Sequence, residues 1–346
     1  MIGIRDVIQR YSNLATHRIA TLPILVLMPH AGCNCRCGTC DLWKPGESCS
    51  DLPMETLSRD LAVLRRWRVR RVILSGGEAL LYPHLWEMCG LLKSLPAKIT
   101  LLTNGMALAR HAREVVQWCD EVIVSLDGTE PTHDALRGVS GATRQMAEGI
   151  DAVRALAPSF TITGRCVLQR RNFEELGEIV AEAHRLGLDR ISFLAADVST
   201  LAFNRSTPWD MDRVKDVCLT PQEVEQFSSV LERTIRERAD DFAGGFIAES
   251  PAKLGNLVRY YASLNGDGDF PPVACNAPWV STVVEADGTV RPCFFHRPLG
   301  NLNERPLNSI LNGADATAFR RSLDVRHDPI CRRCVCSLRL GLRAPA

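Results

Sequence analysis

Short apolar runs alternate with longer amphipathic stretches from Leu22 to about Asp197. The runs are Ile24 to Met28, Arg71 to Leu74, Ile99 to Leu102, Glu121 to Ser125, Thr161 to Leu168 and Ile191 to Leu194. Runs of this length, bounded by polar turns, suit strands buried in a parallel sheet. Between them the period changes to that of a helix. Met54 to Trp67 follows Pro53 and sets Leu57, Leu61 and Leu64 on one face. His84 to Leu95 follows Pro83, a residue at home in a first helical turn. Thr143 to Leu156 and Phe173 to Leu186 have similar spacing. The latter is bounded by Asn172 as an expected N-cap and Gly187 as an expected C-cap. Strand–helix units repeated in this way predict a parallel α/β fold, either an open doubly wound sheet or a partial barrel.

The alternation stops near Val198. Thr220-Pro221 opens a long helix expected to reach about Asp240, with Val224, Phe227, Val230, Leu231 and Ile235 on one side. A second helix is expected from Ser250 or Pro251 to Leu264, then a loop from Gly266 to Pro272. From Val273 a compact cysteine-rich tail contains a predicted hairpin, with strands Trp279 to Glu285 and Thr289 to Cys293 and a turn at Asp287-Gly288. The expected segments are an N-terminal extension (1–21), a strand–helix domain (22–197), a helical insert (198–272) and the tail (273–346).

Composition narrows the function classes. The 346 residues are 46% hydrophobic and 23% charged, with a formal net charge of +1, a balance that predicts no nucleic-acid or membrane surface. Arg5, Asp6, Arg10 and Arg18 interrupt the first twenty residues, so no secretory signal is expected and the chain is placed in the cytoplasm. Fourteen cysteines in a reducing compartment point to metal or redox chemistry where they cluster. Cys49, Cys89, Cys119, Cys166 and Cys218 are scattered and are expected to be unreactive thiols.

Four cysteines lie between Cys33 and Cys40, in the loop after the first strand. Cys33, Cys37 and Cys40 have the spacing C-x3-C-x2-C. Three thiolates bind three irons of a cubane and leave the fourth iron open, whereas zinc or a ferredoxin-type cluster asks for four ligands. This triplet, in the loop after a first strand, resembles the signature of the radical S-adenosylmethionine (SAM) superfamily. Other motifs keep that family's order: Ser75-Gly76-Gly77-Glu78, Thr103-Asn104-Gly105, Ser125-Leu126-Asp127-Gly128 and His133 to Gly138. Each follows a predicted strand, at the end where parallel α/β folds place their sites. The resemblance spans about Leu22 to Asp197 and implies a partial (βα)6 TIM-type barrel. It also implies that a [4Fe–4S] cluster on Cys33, Cys37 and Cys40 cuts SAM to a 5′-deoxyadenosyl radical. The implied SAM contacts are Gly76, Gly77, Glu78, Asn104, Ser125, Asp127, Arg137 or Arg165, and Leu194. Thr39 departs from the family, which often has a large apolar residue there; Trp43 is the expected substitute cover. Cys35 is expected to be a bystander.

In the tail, Cys275 is followed by Gly288 and Cys293, then by Cys331, Cys334 and Cys336. Four thiolates closing a site suit zinc or a fully ligated cluster. The pattern C-x9–15-G-x4-C followed by C-x2-C resembles the start of the SPASM domain and the shorter twitch arrangement. It implies one auxiliary [4Fe–4S] cluster on Cys275, Cys293, Cys331 and Cys334, with Cys336 as a spare or substitute. Its expected role is to take an electron from a substrate radical. Relatives with such tails modify peptides, sugars or small metabolites, so a small-molecule or peptide substrate is expected. The roughly twenty residues before the first strand weigh against a ribosomal-peptide substrate. An external one-electron reductant of flavodoxin or ferredoxin type is also implied. The rival class is a non-catalytic zinc or iron–sulfur scaffold or electron carrier.

Overall fold

The computed structural model describes residues 3–44, 50–205 and 207–346. Six parallel strands alternate with helices: β1 (Ile24–Leu27), β2 (Arg71–Leu74), β3 (Lys98–Thr103), β4 (Glu121–Ser125), β5 (Thr161–Leu168) and β6 (Arg190–Ala195). Helix α1 (Ile4–Thr16) precedes them. Between and after them run α2 (Met54–Arg66), α3 (Leu85–Leu92), α4 (Ala112–Trp118), α5 (Glu130–Arg137), α6 (Ala142–Leu156) and α7 (Leu176–Arg185). Each strand pairs with the next in chain order, giving a partial (βα)6 barrel. Strand residues such as Val72, Leu101, Val122 and Ile162 point outward into the helix layer and form the main core. The alternate residues face the barrel interior.

Beyond β6 comes a helical insert: α8 (Met211–Val217), α9 (Pro221–Glu237), α10 (Ala239–Ala243) and α11 (Pro251–Leu264). Thr220 and Glu223 close a capping box at the start of α9, and Pro221 supplies the preset φ of its first turn. The single helix expected up to Asp240 is broken at Arg238, which leaves helical backbone geometry before α10. Asn172 is also used differently from the expected cap. Its side chain makes no helix cap; its amide donates to the Asp127 and Val167 carbonyls and so joins the ends of β4 and β5.

The C-terminal portion holds α12 (Ala277–Val280), β7 (Ser281–Val284), β8 (Thr289–Arg291), β9 (Gly300–Asn301), α13 (Leu307–Leu311), α14 (Ala314–Ser322) and α15 (Pro329–Arg332). The hairpin strands are shorter than expected because prolines bound them. Pro278 sits in α12, and Pro292, with no N–H to donate, follows β8. Strand β7 pairs in parallel with β1, Ile24 opposite Ser281 and Leu27 opposite Val284. The barrel sheet therefore runs on through the cysteine-rich tail as one nine-stranded sheet. A second apolar cluster joins Ile24, Val26 and Met28 to Trp279, Val283 and Leu340 across that seam.

Helix α1 is inverted. Its buried residues are polar: Asp6, Arg10 and Asn13. Asp6 pairs with Arg68 at 2.6 Å, Arg10 donates to the Gly341 and Ala344 carbonyls, and Asn13 bonds Thr21 and Trp279. No described helix is long and apolar enough to cross a membrane.

Candidate functional site

The cysteine loop leaves β1 at the C-terminal mouth of the barrel and is laced to the neighbouring strand ends. Ser75 N–H donates to the Leu27 carbonyl, Gly77 to His30 and Glu78 to Gly32. The contact is so close that only glycine fits. A Cβ on Gly77 would lie 2.0 Å from the Gly32 carbonyl oxygen, and one on Gly76 would lie 2.8 Å from the His30 oxygen. Gly76 also has φ +121°, which other residues rarely adopt. These two glycines thus form a backbone cradle against the cysteine loop.

Glu78 is fully buried behind that cradle. Its carboxylate accepts from Leu80 N, Thr103 Oγ1 and Asn104 N, at 3.1, 2.8 and 2.8 Å. Burial pushes its pKa up, opposed by these donors. The geometry makes Glu78 the staple between the ends of β2 and β3. Asn104 in turn donates from its side chain to Asn34 in the loop, at 2.7 Å.

Asp127 follows β4 and is buried. One carboxylate oxygen accepts from Val167 N at 2.8 Å, and the other pairs with Arg137. Arg137 Nη1 lies 3.6 Å from Cys37 Sγ, and the Arg137 carbonyl accepts from Arg36 N. The Cys35 thiol, burial and the Arg137 charge act on Cys37 together, and the net effect lowers it to about 6. Cys33 is lowered chiefly by its bond from Cys35. Burial raises Cys40 to about 12. The buried Cys35 thiol lies between Cys33 and Cys37 and hydrogen-bonds both.

A second brace was not visible in the sequence. Burial would raise Asp41, but Arg213, Lys44 and Trp209 outweigh it and hold it at about 2. Arg213 lies 2.6 Å from this carboxylate and donates to the Gly38 carbonyl at 2.8 Å. Arg205 forms a buried pair with Asp197 and reaches Thr39 O. The loop is thus tied to the segment after β6. Trp43 donates to Cys37 O at 3.0 Å, which places its indole on the same loop. Cys49 lies outside the described residues.

The two candidate arginines separate. Arg137 stands at the cysteine loop. Arg165, on β5, points into the barrel, with Ser192 Oγ 3.4 Å from its Nε. It shares a cavity of about 360 Å³ with Leu194, Ile73, Leu102 and Lys253. The same cavity is lined by Cys275, Cys293, Cys331, Cys334 and Cys336. Burial raises Cys293 and Cys336, and raises Cys334 to about 12. Ser125, at the end of β4, is half-buried. Phe193 points away from the barrel into the core. Tyr260 and Tyr261 bond the Ala196 and Leu168 carbonyls as packing residues.

The donor sets suit clusters better than a single ion. Tetrahedral thiolates on zinc lie ~3.8 Å apart, from a Zn–S bond of ~2.3 Å. Among the described residues, the one set of three or more His, Cys, Asp or Glu ligand atoms within 4.8 Å of one another is His296, Asp328 and Cys331. That set includes one auxiliary cysteine, Cys331, and none of Cys33, Cys37 and Cys40. N–H donors of Cys35 and Leu42 reach Cys33 and Cys40 Sγ at 3.4 Å, and Ala277 N reaches Cys275 Sγ at 3.4 Å. Such contacts favour anionic sulfur.

The Radical SAM superfamily model matches residues 27–183, and a SPASM model, an iron–sulfur cluster-binding domain, matches residues 275–335. An AdoMet-dependent heme synthase of Methanosarcina barkeri is 32% identical over 315 residues, covering 85% of this chain and 82% of that protein. The chain belongs to the radical SAM superfamily. It is an enzyme of that family, with SAM and a [4Fe–4S] cluster as cofactors and an auxiliary iron–sulfur site in its SPASM segment. A PqqA peptide cyclase of Streptomyces rochei is 27% identical over 295 residues, 82% of this chain and 73% of that one. The fold also matches the crystal structure of Streptococcus suis SuiB bound to precursor peptide SuiA. There the TM-score is 0.65 at 16% identity, over 96% of this chain and 75% of that one. Family membership sets aside the non-catalytic scaffold reading for this radical SAM enzyme.

Proposed function

We propose that Cys33, Cys37 and Cys40 hold the SAM-binding cluster and that the substrate reacts in the barrel cavity between it and the auxiliary cysteines. When bound, the cluster supplies the electron that splits SAM into methionine and the 5′-deoxyadenosyl group that takes hydrogen from an unactivated C–H bond. This chain's residues position that chemistry. Gly76 and Gly77 bring backbone against the cysteine loop, where the amino group of methionine would lie. Glu78 holds the ends of β2 and β3 in register. Asp127 orients Arg137 beside Cys37, and Ser125 offers its hydroxyl to the ribose. Leu194 and its apolar neighbours keep water from the reacting group.

Cys275, Cys293, Cys331 and Cys334 hold one auxiliary [4Fe–4S] cluster in this reading, which serves as a sink for the substrate electron. Cys336, exposed to the cavity, is the spare thiol. The substrate is a small molecule or a peptide side chain with its neighbours, which a cavity of about 360 Å³ accommodates. Arg165 suits a carboxylate on that substrate, while Lys253 in the same lining already faces Glu249 at 3.6 Å. A peptide is supported by the PqqA peptide cyclase relative, and a small molecule by the heme synthase.

The observation that carries this reading is the cavity itself. Inward-facing residues of the barrel strands and five tail cysteines line one space. The test is anaerobic reconstitution, reduction and mass spectrometry for 5′-deoxyadenosine. The wild type produces it, and the chain with Cys33, Cys37 and Cys40 changed to Ala does not. Persistent SAM cleavage by that variant would overturn the assignment.

A further inference from the structure

Helix α1 turns its apolar stripe to solvent. Ile4, Ile8 and Tyr11 are 75%, 60% and 63% exposed, and Leu14 continues the stripe one turn on. The polar side is the buried one, fixed by Asp6, Arg10 and Asn13. A surface helix normally buries its apolar face, so this orientation calls for a partner. Leu14 also lines a groove of about 770 Å³ with Phe270, Arg326, Arg332, Arg339 and Cys275. The stripe thus runs into a groove floored by a candidate auxiliary-cluster ligand.

The charge around that groove is one-sided. Residues 320–346 carry seven arginines against two aspartates, a net +5 in a chain whose total is +1. Arg321, Arg326, Arg332, Arg333, Arg339 and Arg343 are exposed. Only Arg332 has a carboxylate partner among the described residues, Asp269 at 3.4 Å, and both are exposed, so little of its charge is neutralised.

We propose that this face is the docking surface of an acidic one-electron carrier protein, which exchanges electrons with the auxiliary cluster through the groove. The apolar stripe supplies the desolvated centre and the arginines supply steering. A second copy of this chain is disfavoured because it would set two arginine-rich faces against each other. A lipid surface could cover α1 and the arginines but gives no use to Cys275 in the groove. The step is a simple one: one electron leaves the reduced cluster for the oxidised carrier, and no bond is made or broken. The proposal rests on the auxiliary-cluster reading above.

The test uses the full chain with Cys33, Cys37 and Cys40 changed to Ala, so that only the auxiliary site loads iron. Oxidised flavodoxin is the probe. Binding is read by calorimetry, and oxidation of the pre-reduced cluster by stopped-flow absorbance, with benzyl viologen as a small-molecule control. Flavodoxin binding and electron uptake are expected to weaken as salt rises. Changing Arg326, Arg332 and Arg339 to Glu is expected to lower both by about tenfold or more, and Ile8→Ser with Tyr11→Ser is expected to weaken binding further. The viologen rate stays the same. Wild-type flavodoxin binding that is flat in salt and indifferent to these changes overturns the docking surface. So does a dimer that the α1 changes dissolve, or α1-dependent sedimentation with anionic phospholipid vesicles. Iron well below four per chain in the triple variant overturns the auxiliary-cluster reading itself, a failure separable from loss of docking.

Discussion

The two cysteine groups are built in opposite ways. The N-terminal group sits on a single loop of eight residues, Cys33 to Cys40, at the mouth of the barrel. It is braced from five directions, by the β2 and β3 ends, α5, α8 and the segment after β6. The Cys35 thiol, and after it the Arg137 cation, lower Cys37, while burial raises Cys40 in the same loop. The C-terminal group is gathered from three separate stretches of chain, at Cys275, Cys293 and Cys331 to Cys334. Burial raises Cys293, Cys334 and Cys336, and only Cys336 is opposed by the charges of Arg165 and Lys253 across the cavity. A loop with activated sulfur and a glycine cradle is made to leave one metal position free for a ligand. A set of thiols closing on one another from several elements is made to enclose its metal.

The sharpest break in this comparison is removal of either set. Changing Cys33, Cys37 and Cys40 to Ala should take 5′-deoxyadenosine formation to background. Changing Cys275, Cys293, Cys331 and Cys334 to Ala should leave SAM cleavage measurable while product formation fails. Iron analysis should fall from about eight per chain to about four in each case. Equal loss of SAM cleavage in both variants would erase the distinction.

Next is the glycine cradle, which has no counterpart at the auxiliary end. Gly77→Ala forces a methyl onto the Gly32 carbonyl, and since both groups are backbone, neither can swing aside. It should cost about 1–3 kcal/mol of stability and weaken SAM binding, read by thermal unfolding and equilibrium dialysis. Wild-type SAM affinity in this variant would remove the cradle from the site. Glu78→Gln should follow. Its amide presents a donor to at least one of three donors now satisfied by the carboxylate, a loss of about 1–3 kcal/mol. Wild-type thermal stability in Glu78→Gln would rule out the staple.

At neutral pH the smallest effect belongs to the support behind the N-terminal loop, which matters only in acid. His133 is buried, accepts from Asp127 N at 3.1 Å, and is held near pKa 4, mainly by burial and then by Arg137. Its folded pKa lies below the ordinary 6.5. As pH falls below 6.5 the unfolded chain therefore binds a proton that the native state refuses. Stability drops between pH 6.5 and about 4, then stops falling from this cause. The slope is at most about 1.4 kcal/mol per pH unit. Urea unfolding across that range should show a shallower dependence for His133→Gln. Parallel slopes would mean that another group carries the acid sensitivity.

Much of this protein was legible along the chain. Six strands appeared because each sets a row of apolar residues against the helix layer, while β1 is buried throughout. The cysteine spacing and the motifs after β2, β3 and β4 were local, and local geometry is what sequence spacing records. The tertiary structure decided what depends on residues far apart. It paired β7 with β1, separated Arg137 from Arg165, and brought Asp41 to Arg213. It also turned α1 polar side inward. Periodicity shows that a helix has two faces, but which one is buried depends on what it meets, and here that is Arg68 and the carbonyls of the tail. Spacing therefore named the chemistry, whereas long-range contacts settled where that chemistry is held and which surface is left for a partner.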